Sequence, residues 1–143
     1  MKEIHLIDTN ILVYAFDNSE KKKHRAAVDL LKKCFDEKEK FAISSQNLAE
    51  FFIVMSSKVK SKVDKKEIQD IVENIIEFEG FYKINYDEHT VLQAIDIHRK
   101  YNVDFWDALI ASTMLNNGIN YIYTENIKDF RKIPNITSLN PFI

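Results

Sequence analysis

Glycine is scarce in this sequence, and its scarcity excludes the main classes of nucleotide-binding loop. Only Gly80 and Gly118 occur among 143 residues. A loop that cradles phosphates brings its backbone close to the ligand, which requires several closely spaced glycines. The sequence therefore encodes neither a P-loop nor a dinucleotide-binding loop.

Cysteine is rarer still, and long apolar runs are missing. The single cysteine, Cys34, excludes an internal disulfide and a cysteine-based zinc site, and its apolar-periodic surroundings predict core packing. No apolar stretch is long enough to cross a bilayer, and the N-terminus lacks the basic-then-apolar layout of a signal peptide. We therefore expect a cytoplasmic protein with no membrane contact.

An excess of basic residues, the usual footprint of a nucleic-acid-binding protein, is also missing, because the formal net charge is −2. Two local basic clusters partly offset this balance. For either cluster alone a solvated face is the simpler interpretation, and contact with phosphates is the alternative. The first cluster is Lys21, Lys22, Lys23, His24 and Arg25, and the second is Lys58, Lys60, Lys62, Lys65 and Lys66.

Short apolar runs alternate with helix-like segments along the chain, and no linker or repeat divides it. We interpret residues 1–143 as one α/β domain, a three-layer α/β/α sandwich with a central parallel sheet. Such sheets bind ligands beyond the carboxyl ends of their strands, where the strand order reverses. The predicted strands are residues 4–7, 41–43, 81–84, 119–124 and 136–139, and the predicted helices are residues 10–16, 21 to about 37, 46–58, 65–77, 88 to about 101 and 105 to about 117.

Three acidic residues stand alone in apolar surroundings. Asp8 ends the first predicted strand. Glu50 is the only charge in residues 48–55, and Asp107 is the only charge in residues 105–111. Acids are seldom buried without a partner, and no lysine or arginine lies close in sequence to any of the three. We therefore expect these carboxylates to point into a cleft.

Helix capping offers an alternative for some of these acids. Asp8 could cap the helix that begins near Asn10. Asp107 follows Asp104 by three residues and could stabilise the N-terminus of a helix that Asp104 caps. Glu50 lies within its helix and has no capping role. Capping accounts fully for Asp104, which we leave out of the site.

Together, the three acids are typical of a site for a hard divalent cation. Magnesium and manganese take oxygen ligands. Three carboxylates about 5 Å apart repel by about 3 kcal/mol per pair at an effective dielectric near 20, so such a cluster would hardly persist without a cation. A bound metal can generate hydroxide and neutralise charge on a phosphoryl oxygen, so no serine, cysteine or histidine nucleophile is required.

The ordered motifs around these acids resemble those of the PIN-domain nucleases and, among them, the VapC-type toxins. The resemblance covers nearly the whole chain, with spacings suited to a minimal member. The segments that carry it are Ile7-Asp8-Thr9-Asn10, Asn47-Leu48-Ala49-Glu50, Phe105-Trp106-Asp107-Ala108-Leu109-Ile110-Ala111, and Thr124-Glu125-Asn126 with Asp129-Phe130.

The resemblance implies a PIN-like fold, Mg²⁺ or Mn²⁺ at the acidic cleft, and cleavage of single-stranded or structured RNA. Asp8, Glu50 and Asp107 match the family's three main acids, so they are the expected catalytic and metal-binding residues. Thr9 and Asn10 match supporting polar positions. The implied function is that of a metal-dependent endoribonuclease, the toxin of a toxin–antitoxin pair, inhibited by a small antitoxin protein.

One position departs from the family pattern. Many members carry a fourth acid just after the threonine of the fourth strand, and Asn126 stands at the aligned position here. Glu125 and Asp129 are nearby, but Glu125 could point away from the cleft. Thr124 and Asn126 would then act through hydrogen bonds or water. The departure leaves the number of metal ions, one or two, open.

Two other functions fit parts of the pattern. Asn126 favours a nucleic-acid-binding module with a degenerate nuclease site, although pure RNA binding would gain nothing from three acids. A receiver-like signalling domain also gathers acids at strand ends, but it would need an adjacent acidic pair, and residues 2–12 hold only Glu3 and Asp8. Apolar side chains could also serve a homodimer, and the candidates are Phe51, Phe52 and Met55.

Overall fold

Five short strands form the centre of the molecule. The structure, a computed structural model, describes residues 3–36, 38–60 and 62–143. The strands are β1 (Ile4–Ile7), β2 (Lys40–Ser44), β3 (Phe81–Ile84), β4 (Tyr121–Tyr123) and β5 (Thr137–Leu139).

Seven helices in the described residues connect these strands, and side-chain caps define where several of them begin. Ser44 and Asn47 form a capping box at the start of α3, and Asp87 and Thr90 form another at the start of α5. The helices are α1 (Thr9–Phe16), α2 (Lys21–Phe35), α3 (Ser45–Ser57), α4 (Lys65–Glu77), α5 (Glu88–Tyr101), α6 (Phe105–Asn116) and α7 (Ile127–Phe130).

All neighbouring strands pair in parallel, in the order β3-β2-β1-β4-β5. The chain builds outward from β1 to β3 on one side and then crosses to β4 and β5 on the other. The strand order therefore reverses between β1 and β4, and a crevice opens there beyond their carboxyl ends. Asp8 follows β1 and Thr124 follows β4, so both flank the crevice.

The sheet separates two apolar cores, because successive strand residues point to opposite faces. Ile7 and Phe41 pack with helices α1 to α4 on one face. Leu6 and Ala42, one position away in each strand, pack with α5 and α6 on the other face. The predicted three-layer α/β/α fold with a central parallel sheet is confirmed.

The predicted elements agree with the structure to within one residue at each end, apart from three larger differences. The fourth strand is shorter than predicted: residues 119 and 120 lie before it, and Thr124 lies after it. Helix α7 was not predicted, since four residues are too few to show a period. Helix α2 ends at Phe35, and Glu37, the predicted end, lies outside the described residues.

The apolar residues proposed for a homodimer divide between the interior and the surface. Phe51 and Met55 are fully buried in the core, so the prediction that they serve an interface is wrong. Phe52, on the next helical position, is exposed. Cys34 is buried as expected. No helix of the described ranges is both long and apolar enough to span a membrane.

Candidate active site

A large cavity lies at the carboxyl end of the sheet, and the three lone acids all line it. Its volume is about 1140 Å³. Asp8 reaches it from the end of β1, Glu50 from the second turn of α3, and Asp107 from the first turn of α6. Three separate elements therefore deliver the predicted carboxylates to one crevice.

Asp8 is buried, with 5% of its surface exposed, and its two oxygens have different partners. Oδ1 accepts a hydrogen bond from the backbone N–H of Thr9 at 2.8 Å, so Asp8 does cap α1. Oδ2 accepts one from the Thr124 hydroxyl at 2.7 Å. Capping and a place in the site are thus compatible, since the cap leaves the carboxylate at the cavity wall.

Glu50 is held by a chain of hydrogen bonds that begins at the N-terminus of its own helix. Ser44 donates from its backbone N–H and its hydroxyl to Oδ1 of Asn47, at 3.1 and 2.6 Å. This fixes the Asn47 amide, whose Nδ2 donates to the Thr9 hydroxyl oxygen at 3.0 Å. Thr9 in turn donates to Oε1 of Glu50 at 2.8 Å. Because the Thr9 hydroxyl oxygen accepts from Asn47, its hydrogen is directed to Glu50, and this hydrogen bond orients the Glu50 carboxylate.

Gln46 joins Glu50 to the third acid's helix. Its Nε2 donates to Oε2 of Glu50 at 3.3 Å and to the backbone carbonyl of Trp106 at 3.0 Å. Both partners are acceptors, so the amide orientation is set. Its Oε1 is buried, and within the described residues it has no hydrogen-bond partner.

Asp107 sits among polar groups from the loop after β4. Its Oδ2 accepts a hydrogen bond from Nδ2 of Asn126 at 2.7 Å, and the same nitrogen donates to Asp129 at 3.3 Å. Thr124 positions this loop, because its hydroxyl oxygen accepts from the backbone N–H of Asn126 at 2.9 Å. Asn126 therefore bridges two carboxylates that would otherwise repel.

Burial and nearby negative charges raise the pKa of two carboxyl groups, Asp8 and Asp107. Burial is the main cause that raises the pKa of Asp8 to about 6, against the hydrogen bonds from Thr124 and Thr9. Burial also raises the pKa of Asp107 to about 8, and the charges of Asp8, Asp104 and Asp129 add to the effect. Among the described residues, no lysine or arginine forms an ion pair with Asp8, Glu50 or Asp107, so direct pairing does not neutralise their charge.

The donor chemistry of the cavity fits a hard divalent cation. Asp8, Glu50 and Asp107 offer oxygen ligands only, and magnesium prefers such ligands while keeping several waters. The orphaned Oε1 of Gln46 fits too, because the waters of a hydrated cation donate hydrogen bonds. Among the described residues, no three His, Cys, Asp or Glu side chains already form a closed ligand set. The residues therefore fit a divalent cation by the chemistry of their oxygen atoms, and hydrogen bonds hold the three carboxylates in place.

Comparison with known proteins identifies the family of the chain. The model of the PIN domain matches residues 5–136. The chain belongs to the PIN domain family. A search of curated proteins gives no match.

Solved structures match almost the whole PIN domain. VapBC2 from Rickettsia felis, bound to a promoter DNA fragment, has a TM-score of 0.67 at 25% identity, covering 96% of this chain and 98% of that one. A toxin–antitoxin complex from Klebsiella pneumoniae has a TM-score of 0.64 at 24% identity, covering 96% and 97%. VapC20 from Mycobacterium tuberculosis, a sarcin-ricin loop cleaving toxin, has a TM-score of 0.68 at 15% identity, covering 88% and 92%. The predicted likeness to VapC-type nucleases is confirmed.

The remaining polar residues of the PIN domain's motifs divide between the cavity and its supports. Asn10 lines the cavity, and its Oδ1 accepts from the backbone N–H of Glu125 at 3.3 Å. The Glu125 side chain turns away and pairs with Lys23 and the hydroxyl of Tyr14. Glu125 is therefore no substitute for a fourth acid, whereas Asp129 stands next to Asp107.

The two basic clusters differ in their relation to the cavity. Lys58 and Lys60 line it and are exposed, so the second cluster places two cations beside the acids. In the first cluster, Lys23 is engaged with Glu125, and its ammonium also lies 5.1 Å from the centre of the Tyr14 ring. The site geometry thus favours the second cluster for contact with phosphates.

Sequence reasoning missed several residues that the cavity uses. Asn47 belongs to a sequence motif that does not indicate its role. An asparagine near the start of a helix is, however, a signal of a hydrogen-bonding role. Gln46 and Trp106 precede Asn47 and Asp107 by one residue and were not assigned a role. Their signal was weak, because only the tertiary contact between Gln46 and the Trp106 carbonyl brings them together.

Proposed function

We propose that this PIN domain is a metal-dependent endoribonuclease that hydrolyses RNA phosphodiester bonds at the acidic cavity, with Asp8, Glu50 and Asp107 as its catalytic residues. One observation carries the proposal. The end of β1, helix α3 and helix α6 each bring one carboxylate to the same open cavity at the reversal of strand order. A purely structural role does not account for three acids in one cavity when none of them forms an ion pair with a lysine or arginine of the described residues.

Mg²⁺ or Mn²⁺ would be held by Asp8, Glu50 and Asp107. Such an ion, when bound, activates water and offsets charge on a phosphoryl oxygen. The protein's own task is to fix the three carboxylates, and Thr124 and Thr9 do so through the hydrogen bonds to Asp8 and Glu50. Asn126 fixes Asp107 in the same way, as a hydrogen-bond donor in place of a fourth acid.

Lys58 and Lys60 offer the cavity's counterpart to these acids. Their exposed ammonium groups can contact the phosphates on either side of the bond to be cut, which orients the strand. Contacts to the neighbouring phosphates are useful here, because the reacting phosphate itself lies next to carboxylates that repel it. Net charge of the whole chain says little about this local pairing of cations and acids.

The structural neighbours support a role as the toxin of a toxin–antitoxin pair. The structure from Klebsiella pneumoniae is a toxin–antitoxin complex, that from Rickettsia felis is VapBC2 on promoter DNA, and VapC20 is a sarcin-ricin loop cleaving toxin. We therefore propose a small antitoxin protein as partner and RNA as substrate. A homodimer stays a prediction, and Phe52, on an apolar groove of about 640 Å³ with Leu48 and Ile76, is the predicted residue still available for it.

A second candidate function, an RNA-binding module with a degenerate site, is favoured by one observation. Asn126 stands where the family pattern has a fourth acid, and its amide donates to Asp107 and adds no charged ligand. If the three remaining acids bind a cation too weakly, the cavity would bind RNA without cutting it. The cleavage experiment below separates the two functions.

Purified protein should cleave single-stranded RNA with Mg²⁺ or Mn²⁺ and should stop when EDTA is added, because the carboxylates need a cation to accept a phosphodiester. Asp8→Asn keeps the cap on α1 but removes a charged ligand. We expect at least about a hundredfold loss of rate, since losing even an outer partner of a metal ligand typically costs 10–100-fold. A gel assay of a labelled RNA measures this.

Cleavage that survives EDTA and is equal in the Asp8→Asn preparation would come from a contaminant and would contradict the proposal. RNA binding without cleavage under any divalent ion would instead support the module with a degenerate site. The exposed acid Asp96, paired with Lys100 on α5, gives a matched control, because Asp96→Asn changes a charge outside the cavity.

Neutralising Lys58 and Lys60 should weaken RNA binding and flatten its dependence on salt. Each lost phosphate contact should reduce the slope of log affinity against log salt by about 0.7 on a single strand. Lys58→Gln and Lys60→Gln are compared with Lys22→Gln, an exposed lysine of the first cluster outside the cavity. Slopes equal to that of wild type in all three variants would return both clusters to the solvated-face interpretation.

A further inference from the structure

Trp106, the chain's only tryptophan, forms part of the cavity wall and has not been assigned a role. Its side chain is 55% exposed, although the next residue is the site acid Asp107. An exposed apolar side chain is ordinary when it stands alone. This one lies instead in a cavity with three carboxylates, where a ligand in contact with the acids would also meet the indole.

The start of α6 holds Trp106 in place from both sides. Its backbone N–H donates to Oδ2 of Asp104 at 3.0 Å, and its carbonyl accepts from Nε2 of Gln46 at 3.0 Å. The Phe105 ring packs against the indole edge to face, with ring centres 5.4 Å apart. A side chain on so constrained a backbone loses little further freedom when a ligand covers it.

The surroundings of Trp106 combine three kinds of group. Tyr86, which is 38% exposed, lines the same cavity, as do the cations Lys58 and Lys60. Exposed aromatic rings beside cations form the usual groove for single-stranded nucleic acid, in which bases stack and phosphates pair. An apolar protein surface fits less well, because it would strip water from Asp8 and Glu50 without replacing it.

We infer that Trp106 is the platform on which an unpaired base of the RNA stacks beside the bond to be cut. The inference rests on the proposed nuclease function and adds that the RNA is unpaired at the site of cleavage. A base within a duplex has both faces covered by its neighbours, so only an unpaired or flipped base can reach the indole. Stacking does not select one base strongly, since every base has an aromatic face.

Fluorescence of the single tryptophan tests this directly. A short oligoribonucleotide of mixed sequence is titrated into wild-type protein in EDTA, where no cleavage should occur. We expect quenching by the single strand and little quenching by the same strand paired into a duplex. A strand of equal length with abasic sites, which keeps the phosphates, should also quench little. Equal quenching by the abasic strand, or no quenching at saturating single strand, would overturn the inference.

Two substitutions separate stacking from apolar packing. Trp106→Leu removes the aromatic face, and Trp106→Phe keeps one. Stacking is worth about 1–3 kcal/mol per base, which corresponds to roughly 5- to 150-fold in affinity. We therefore expect the affinity for the strand, measured by fluorescence anisotropy, to fall roughly tenfold or more in Trp106→Leu. In Trp106→Phe the affinity should fall clearly less. Tyr82→Leu, an exposed aromatic on β3 outside the cavity, should match wild type.

Failure of this inference is distinguishable from failure of the proposed function. If wild type cuts RNA with magnesium while Trp106→Leu binds and cuts equally well, stacking is wrong and the nuclease stands. If no RNA is cut under any divalent ion but the base-dependent quenching is seen, the platform stands without the nuclease. Should Trp106→Leu misfold, the wild-type titration and Trp106→Phe still decide.

Discussion

Asp107→Asn should abolish RNA cleavage and leave the metal-free protein more stable than wild type. Burial is the main cause that raises the pKa of this carboxyl to about 8, and the neighbouring like charges add to it. An asparagine oxygen can still accept the hydrogen bond from Asn126. Because the cavity of the metal-free protein has no cation to offset the charge, we expect a gain of about 1–3 kcal/mol at neutral pH after discounting for partial exposure.

The sign of the accompanying pH dependence follows from the same shift. The folded-state pKa of Asp107 lies above its ordinary value of 3.8, so the folded protein binds a proton more tightly than the unfolded chain. Between about pH 4 and pH 8 the metal-free wild type should therefore lose stability as pH rises. Asp8, whose pKa is raised to about 6, adds to the slope over its lower half. Asp107→Asn should flatten the curve.

Thermal melts with and without magnesium measure both effects. In EDTA at neutral pH the variant should melt roughly 3 to 10 °C above wild type. Magnesium should raise the melting temperature of wild type clearly and that of the variant little, because a ligand stabilises only through the site that it binds. Asp64→Asn is the matched control, since it makes the same change at the N-cap of α4, outside the cavity, and keeps a good cap.

Two results would contradict this account of Asp107. Equal magnesium shifts in Asp107→Asn and wild type would place the ion elsewhere. A large loss of metal-free stability in Asp107→Asn would show that the carboxylate supports the fold at the start of α6. Either result would remove Asp107 from the proposed ligand set.

The layout of the fold could be predicted from the sequence because its signals are local. A buried strand that ends in Asp8, and a helix that Asp104 caps and Gly118 ends, are properties of short segments. Gly118 has φ of +70°, a conformation that favours glycine, and it directly follows Asn117, the C-cap residue of α6. The order of the strands and the crevice between β1 and β4 then follow from parallel connections.

The hydrogen-bond network of the site could not be predicted, because it depends on contacts between segments that are distant in the sequence. The bond from Thr9 to Glu50 spans 41 positions, and that from Thr124 to Asp8 spans 116. No periodicity in the sequence encodes which hydroxyl meets which carboxylate. The same reason explains Asn126, which the sequence marks only as a missing acid and the structure makes the donor that bridges Asp107 and Asp129.

The bridging role of Asn126 leads to the opposite expectation for a change at that position. Asn126→Asp, which supplies the family's fourth acid, should destabilise the metal-free protein. It replaces a donor 2.7 Å from an Asp107 oxygen with a like charge. Two charges about 4 Å apart interact by about 4 kcal/mol at an effective dielectric of 20, and partial protonation should reduce the measured loss to about 2–3 kcal/mol.

The double variant Asp107→Asn with Asn126→Asp separates charge repulsion from simple disruption of the loop. It restores one amide and one carboxylate with their positions exchanged, so it should recover most of the stability that Asn126→Asp loses in EDTA. Magnesium should raise the melting temperature of Asn126→Asp more than that of wild type, because a fourth carboxylate strengthens the attraction for a cation. If Asn126→Asp melts like wild type in EDTA, the Asn126–Asp107 hydrogen bond does not hold the metal-free site. If the double variant recovers nothing, Asn126 supports the loop in a way that charge does not explain.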